Sequence, residues 1–451
     1  MESKKSDNLS AAPGETAEPS PWITVLRSNW TIPLALLLLV PLNYVVHETS
    51  LLDSYTRRIV LLIGVSIVAA VSLQLINGTS GQFSLGHAGF MAVGAYLAAY
   101  PMKTYANYGS NPLGVLMFYV GLGLVVAIAG FFLLAVFLLI RSSARVHTQL
   151  PTLLLLVVAA WFLWDISAAA RAAGPAPAYL VFSRGIGLLT SLFDSVANRQ
   201  FAFSIPRGVG RPICFLIVIL GGGACASVAG LIVGLPTLRL RGDYLAIATL
   251  GFAEIIRVVI NNSAPLGGAT GMTGIPRLSN FGWIYGSAIV TIIVIWRIVN
   301  SGKGRTLLAV REDEIAAAAV GIDTTRYRVF AFLVGSFFAG VAGALFAHLN
   351  LYLNPNEFGF LRSVELVVMV TLGGLGSITG AIVTAAVLTL LPEVLRGFAE
   401  WRMILYSLLL IGMMLLRPQG LLGSRELWPP SRWWRGARPA PAPTLKAEAA
   451  K

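Results

Sequence analysis

Glu254 and Arg257 stand three residues apart inside the apolar run 244–260, a spacing that sets both on one face of a helix. Ionisable groups in such a run are costly to bury, which leaves two readings. Either Glu254 meets a polar solute, or it is neutralised by Arg257 near the end of the run. Arg362 and Glu365 repeat the spacing and suit the second reading. Gln82, Ser84 and His87 fall in the glycine-punctuated stretch 81–94. Glycines there either let helices pack closely or break a helix so that backbone groups face a solute. The densest charge is in "GKGRTLLAVREDEIAAAAVGID", residues 302–323, with seven charged residues: Lys303, Arg305, Arg311, Glu312, Asp313, Glu314 and Asp323. Ala316 to Ala319 and the helix formers around them predict a short helix here, too polar to cross lipid. Such a helix is either a solvated connector or a surface for a partner.

Other chemistries are excluded or unsupported. The four histidines, His47, His87, His147 and His348, are scattered without metal-ligand spacing. Cys214 and Cys225 share one apolar run and read as small buried hydrophobes, not as a disulfide framework. No G-x-x-x-x-G-K-[ST] phosphate loop occurs, since "GKGRT" at 302–306 lacks the upstream glycine. "GTSGQ" at 78–82 faintly resembles an ATPase signature but stands alone beside an apolar run. No nucleophile–base constellation is present, and the chain reads as a non-enzyme that binds no cofactor or metal of its own. The formal net charge of +13 is not arranged in a basic stripe interleaved with aromatics, so nucleic acid is not an expected partner.

The elements that must position these residues are set by composition. Of 451 residues, 56% are hydrophobic and only 12% charged, about half the charged share of a soluble domain. Apolar runs long enough to cross a hydrocarbon core as helices recur along the chain, and no period-2 alternation suggests a barrel. The expected fold is all-α, a polytopic transmembrane helical bundle of about 10–12 spans. Candidate spans lie at about 31–47, 59–76, 83–100, 114–140, 151–167, 213–235, 244–260, 283–299, 329–350, 363–376, 378–395 and 402–416. The segments 83–100 and 363–376 are short and glycine-broken, and are candidates for interrupted or re-entrant helices. Arg141 and Arg145, Arg239 and Arg241, and the cluster around 303–328 fall on one side of this topology. By the positive-inside rule that side is cytoplasmic, with both termini, although Arg57 and Arg58 dissent. Residues 1–30 and 424–451 read as polar, disordered cytoplasmic tails flanking a transmembrane domain over 31–423.

Four stretches in order carry a resemblance: "GQFSLGHAGFMAVGAYLAAY" at 81–100, "GLPTLRLRGDYLAIATLGFAEIIRVVINN" at 234–262, "GRTLLAVREDEIAAAAVGI" at 304–322, and "RSVELVVMVTLGGLGSITGAIVTAAVLTLLPEVLR" at 362–396. Together they resemble the permease subunits of the branched-chain amino acid ABC importers, and most of all the subunit carrying the "LRLRGDYLAI" signature. Urea and short-chain amide permeases are close relatives of that family. The resemblance covers 58–100 and 211–423.

It implies a multi-part importer in a bacterial inner membrane, with a second homologous permease subunit, two cytoplasmic ATPase subunits that use ATP, and a periplasmic or extracellular solute-binding protein. It implies that 302–323 is the ATPase-coupling helix, with Arg311, Glu312, Asp313 and Glu314 offering charge and Ala317 and Gly321 permitting close approach. It makes Gln82, Ser84, His87, Thr249 and Glu254 candidates for the translocation path of an amino acid zwitterion, with close helix packing as the other reading of the first three. Gly373, Gly374 and Gly376 are expected to form a tight inter-helix turn. Two departures stand out. Glu314 precedes Gly321 by seven residues where many ABC permeases space the pair by six, and 101–212 includes an apparent insertion with two extra spans. The cargo alternatives are urea, short amides or another small polar solute. A secondary transporter or channel is a more distant reading that leaves 302–323 unexplained.

Overall fold

The computed structural model describes residues 53–104, 207–238, 240, 242–398 and 420–423, with parts of 115–123 and 401–416. All lie in one unit, Asn43–Pro429. The candidate spans at 31–47 and 151–167 and both expected tails lie outside the described residues, as does most of the apparent insertion at 101–212.

Ten helices are named here: α1 (Ser54–Leu73), α2 (His87–Thr104), α3 (Arg207–Thr237), α4 (Asp243–Asn261), α5 (Phe281–Val299), α6 (Gly302–Glu312), α7 (Glu314–Ala319), α8 (Thr324–Asn350), α9 (Phe360–Gly373) and α10 (Ile378–Val394). No strand occurs among the described residues. Many helix starts are written in polar caps. Asp53, Asn280, Ser301, Asp313, Asp323 and Ser377 each accept a backbone N–H of the helix that follows. Each such cap contributes about 1 kcal/mol. Among the described residues, the stretches Ser54–Thr79, Arg211–Thr237, Phe281–Val299 and Thr324–Asn350 are long and apolar enough to cross a membrane.

α8 is the central helix, packed against α1, α2 and α3. Its approach to α2 is backbone on backbone: a Cβ at Gly94 would lie 2.2 Å from the Gly340 carbonyl oxygen, and one at Gly343 would lie 2.0 Å from that of Met91. The Gly230–Gly234 pair of α3 faces Ser336 and Phe332 of α8, so its GxxxG spacing serves packing. Phe90 meets Phe332 edge-on across the same core, with ring centroids 5.5 Å apart.

The two ends of the bundle are distinct. At one end the loops after α4 and α8 meet in a two-way backbone bridge between Met272 and Leu353, with N···O distances of 2.9 and 3.0 Å. Tyr55 at the start of α1 bonds Glu393 at the end of α10 on this side. At the opposite end lie α6 and α7, the end of α1 and the turn between α9 and α10. Gly373 to Gly376 form that turn, with positive φ of 106° at Gly374 and 98° at Gly376, where only glycine is unstrained.

Two spans differ from the sequence expectation. The run expected at 59–76 extends from Ser54 to Thr79, because Asp53 caps it early and a π-helical turn, Gln74–Thr79, continues it. The segment expected as a span at 83–100 is a helix only from His87. Residues 81–86 have no regular secondary structure and are entered through Gly81 at a φ of 69°. α2 starts beside Ser72, seven residues before Thr79, or about 10 Å inside the end of the bundle.

Candidate coupling surface and buried polar segment

α6 buries Gly304, Leu307 and Val310, positions three apart that form one helical stripe. Asp313 then leaves the helix with φ −151° and ψ 111° and caps α7, its Oδ1 accepting from Ile315 N at 2.8 Å and Ala316 N at 3.0 Å. α7 buries Ala317 and closes on Gly321, at φ 86°. Ile322 N donates to Ala317 O and Gly321 N to Ala318 O, the paired bonds of a Schellman cap. The result is a bent helical pair that shows Ile315 and Val320 to the outside at 73% and 76% exposure. Sequence reasoning singled out the charges and passed over these two apolar side chains. The signal was the position of Ile315 on the face of α7 opposite Ala317, and of Val320 at the cap that ends the helix.

The charges themselves divide. Glu312 is exposed, and Asp313 is occupied as a cap. Glu314 Oε1 lies 2.8 Å from Arg328 Nη1 in α8 and accepts from Thr324 Oγ1 at 3.4 Å. Arg311 is exposed along part of its length, but its Nη1 reaches the bundle and donates to Gly78 O at 2.6 Å. Arg311 and Glu314 therefore anchor the helical pair to its own bundle.

The irregular segment 81–86 is surrounded by polar groups that replace a helix ladder. Gln82 N donates to Ile76 O at 3.1 Å, Ser84 N to Asn77 Oδ1 at 3.2 Å, and Leu85 N to Thr249 Oγ1 at 3.1 Å. Gly86 N reaches Ser84 Oγ at 3.4 Å. His87 Nε2 lies 2.8 Å from Ser72 Oγ. Such irregular backbone is tolerated at membrane depth only where protein or water satisfies it, and here Gln82, Ser84 and Gly86 are buried while Gly81 and Phe83 are exposed. Gln82 is 3% exposed, and Ser84, His87 and Thr249 are fully buried. Among the described residues both polar atoms of the Gln82 amide, Gln74 Oε1 and His87 Nδ1 have no hydrogen-bond partner. The structure thus gathers Gln82, Ser84, His87 and Thr249 around one break, and adds Ser72, Gln74 and Asn77. These three were legible only as polar residues at the end of an apolar run.

Glu254 stands apart from this group. Its Oε2 lies 2.7 Å from Arg257 Nε, and Arg257 Nη1 donates to Asn356 Oδ1 at 2.8 Å in the loop after α8. Arg362 and Glu365 form a similar pair at 2.7 Å. In the same loop, partial burial raises the Glu357 carboxyl above its ordinary pKa, while Arg362 and Arg58 pull it down. No group of three metal-ligating side chains occurs among the described residues.

A helical bundle with several helices long and apolar enough to cross a membrane, a largely buried polar break and a helical pair at one end is a multi-pass membrane protein. Residues 163–417 match the family model described as the permease component of branched-chain amino acid transport systems. The chain belongs to that family. It is 31% identical over 328 residues to the high-affinity branched-chain amino acid permease protein LivM of Salmonella typhimurium, covering 62% of this chain and 76% of that one. To LivM of Escherichia coli K12 it is 36% identical over 250 residues, 48% of this chain and 58% of the relative. LivH, another permease protein of that system in Escherichia coli K12, is 30% identical over 174 residues, 34% of this chain and 56% of LivH. These relatives are transport components, not enzymes. No solved structure matches the chain significantly.

Proposed function

We propose that this chain is a permease subunit of an ATP-driven importer that carries branched-chain amino acids across a bacterial inner membrane. It forms the path with a second, homologous permease subunit. A solute-binding protein delivers cargo to the end carrying the Met272–Leu353 bridge. ATPase subunits bind at the other end, which makes that end and both termini cytoplasmic. The chain binds no cofactor, and ATP is used by its partners.

The observation that carries this reading is the α6–α7 pair. It is capped, anchored to the bundle by Arg311 and Glu314, and presents Ile315 and Val320 outward. A rigid helical pair with an apolar tip is what a soluble partner must grip if its movement is to reach the spans. The break at 81–86 is the proposed solute contact. There the unpartnered amide of Gln82 and imidazole nitrogen of His87 can exchange hydrogen bonds with an ammonium or carboxylate once the helices part.

The test is uptake of radiolabelled leucine by cells with and without this gene, in a strain lacking other leucine importers, with unlabelled valine and urea as competitors. Loss of uptake without the gene, and competition by valine alone, is the expected outcome. Unchanged leucine uptake, or competition by urea, refutes the assigned cargo.

A further inference from the structure

We propose that Arg311 is the strut through which displacement of the α6–α7 pair reaches the polar break at 81–86. The proposal rests on that pair being where the ATPase docks, and it concerns what happens inside the chain after docking.

Arg311 occupies a notch made by three glycines from two separate segments. Its Nη1 donates to Gly78 O at 2.6 Å, near the end of the π-helical turn. A Cβ added at Gly81 would lie 2.8 Å from Arg311 Cγ, and one at Gly376 would lie 3.1 Å from Arg311 Nη1. A Cβ at Gly78 would lie 2.7 Å from Gly376 N, so the bend after α1 and the turn between α9 and α10 touch at this point. Gln74 Nε2 donates to Gly374 O at 3.0 Å and ties the same two segments together. Side chains at Gly81 and Gly376 would fill the space that the arginine stem and guanidinium use.

From Gly78 the path inward is short and made of hydrogen bonds. The next residue back, Asn77, holds Ser84 from both sides of its amide: Oδ1 accepts from Ser84 N at 3.2 Å and Nδ2 donates to Ser84 O at 3.5 Å. Leu85 N then reaches Thr249 Oγ1 in α4 at 3.1 Å. The other anchor of the helical pair, Glu314 on Arg328, is made to the central helix α8. A pair pushed from outside is thus held by its buried stripe, by Arg328 of α8 and, through Arg311, by the bend at Gly78. Of these, the bend is the attachment that leads to 81–86. A charged donor on a backbone carbonyl transmits both push and pull, and a guanidinium holds its direction better than an ammonium.

The experiment purifies the assembled importer through a tag on this chain and reconstitutes it in lipid vesicles. It measures leucine uptake per ATP hydrolysed for wild type, Arg311→Ala, Arg311→Lys and Arg311→Met. For Arg311→Ala the ATPase subunits co-purify in the wild-type ratio, and uptake per ATP falls about tenfold, the scale of one hydrogen bond to a charged group. Arg311→Lys falls between. Arg311→Met keeps most of the stem and its packing but has no donor, and gives the same loss, which keeps the test decisive if Arg311→Ala does not fold. Uptake per ATP within about twofold of wild type in Arg311→Ala, or in Arg311→Met where the former does not fold, overturns the strut. So does loss of the ATPase subunits from Arg311→Ala, which would make the residue a docking contact. If the wild-type chain itself carries no ATPase, it is the docking reading that fails.

Discussion

Asp313 offers the most direct test of how the docking surface is built. Its Oδ1 accepts two backbone N–H groups, Ile315 N at 2.8 Å and Ala316 N at 3.0 Å, at the start of a helix of six residues. A helix that short does not hold itself in water, because nucleation costs more than its few bonds return. Asp313→Ala hands both donors to solvent. The cost is about 1 kcal/mol, within a range of roughly 0.5–2 for cap removal. That corresponds to about a fivefold rise in the local opening of α7. The Schellman bonds at Gly321 and Ile322 and the Glu314–Arg328 pair remain, so the helical pair loosens without detaching. Hydrogen exchange read by mass spectrometry on a peptide spanning 314–320 is the assay. About fivefold faster exchange is expected there, with α1 unchanged, and Asp313→Asn restores most of the protection. Ile315 lies in α7 and Val320 caps its end, so leucine uptake falls in the same variant. Unchanged exchange in 314–320 refutes the capping argument. Acceleration that spreads into α1 and α8 refutes its locality.

Two further outcomes follow from buried groups. Gln82→Leu removes an amide with no partner on either polar atom, a group whose burial costs about 1–3 kcal/mol. The variant is expected to melt higher in detergent yet import less leucine, and undiminished uptake removes Gln82 from the path. Glu357 has its folded pKa raised above the 4.5 of the free side chain, first by burial and against the pull of Arg362 and Arg58. The fold thus favours its protonated form: its contribution to stability is fully present below that value and is lost as pH rises through the folded pKa. Glu357→Gln should melt like the wild type in acid and above it at neutral pH. A constant difference at all pH values refutes the assignment.

Much of this protein is legible without coordinates, and the reason is lipid. In hydrocarbon every backbone group must be satisfied within its own segment, so long apolar runs have few options beyond helix. Runs such as 213–235, 283–299 and 329–350 accordingly correspond to helices with ends shifted by a few residues, and Asp323, Ser301 and Asn280 announce starts by residue type. The charged, alanine-rich stretch at 302–323 stands out for the same reason, being too polar for the apolar runs on either side of it. Sequence periodicity also placed Glu254 and Arg257 on one face, where they pair.

What the sequence could not decide was which polar groups meet. The break at 81–86 depends on Asn77 reaching across seven residues to Ser84, and on Thr249 reaching 164 residues away to Leu85 N. Those bonds are chosen by how α1, α2 and α4 pack, and local propensity carries no trace of it. The same holds for Arg311, one of four consecutive charges in the chain, whose carbonyl partner lies 233 residues away. The notch that receives it exists only because glycines from two distant segments are brought into contact. Composition and period therefore determined the all-helical membrane class, several of the apolar helices and the presence of a polar helical stretch at 302–323, though not its division into two helices at Asp313. Only the tertiary structure could assign each charge a direction, because a hydrogen bond depends on distance and angle in space and not on separation along the chain.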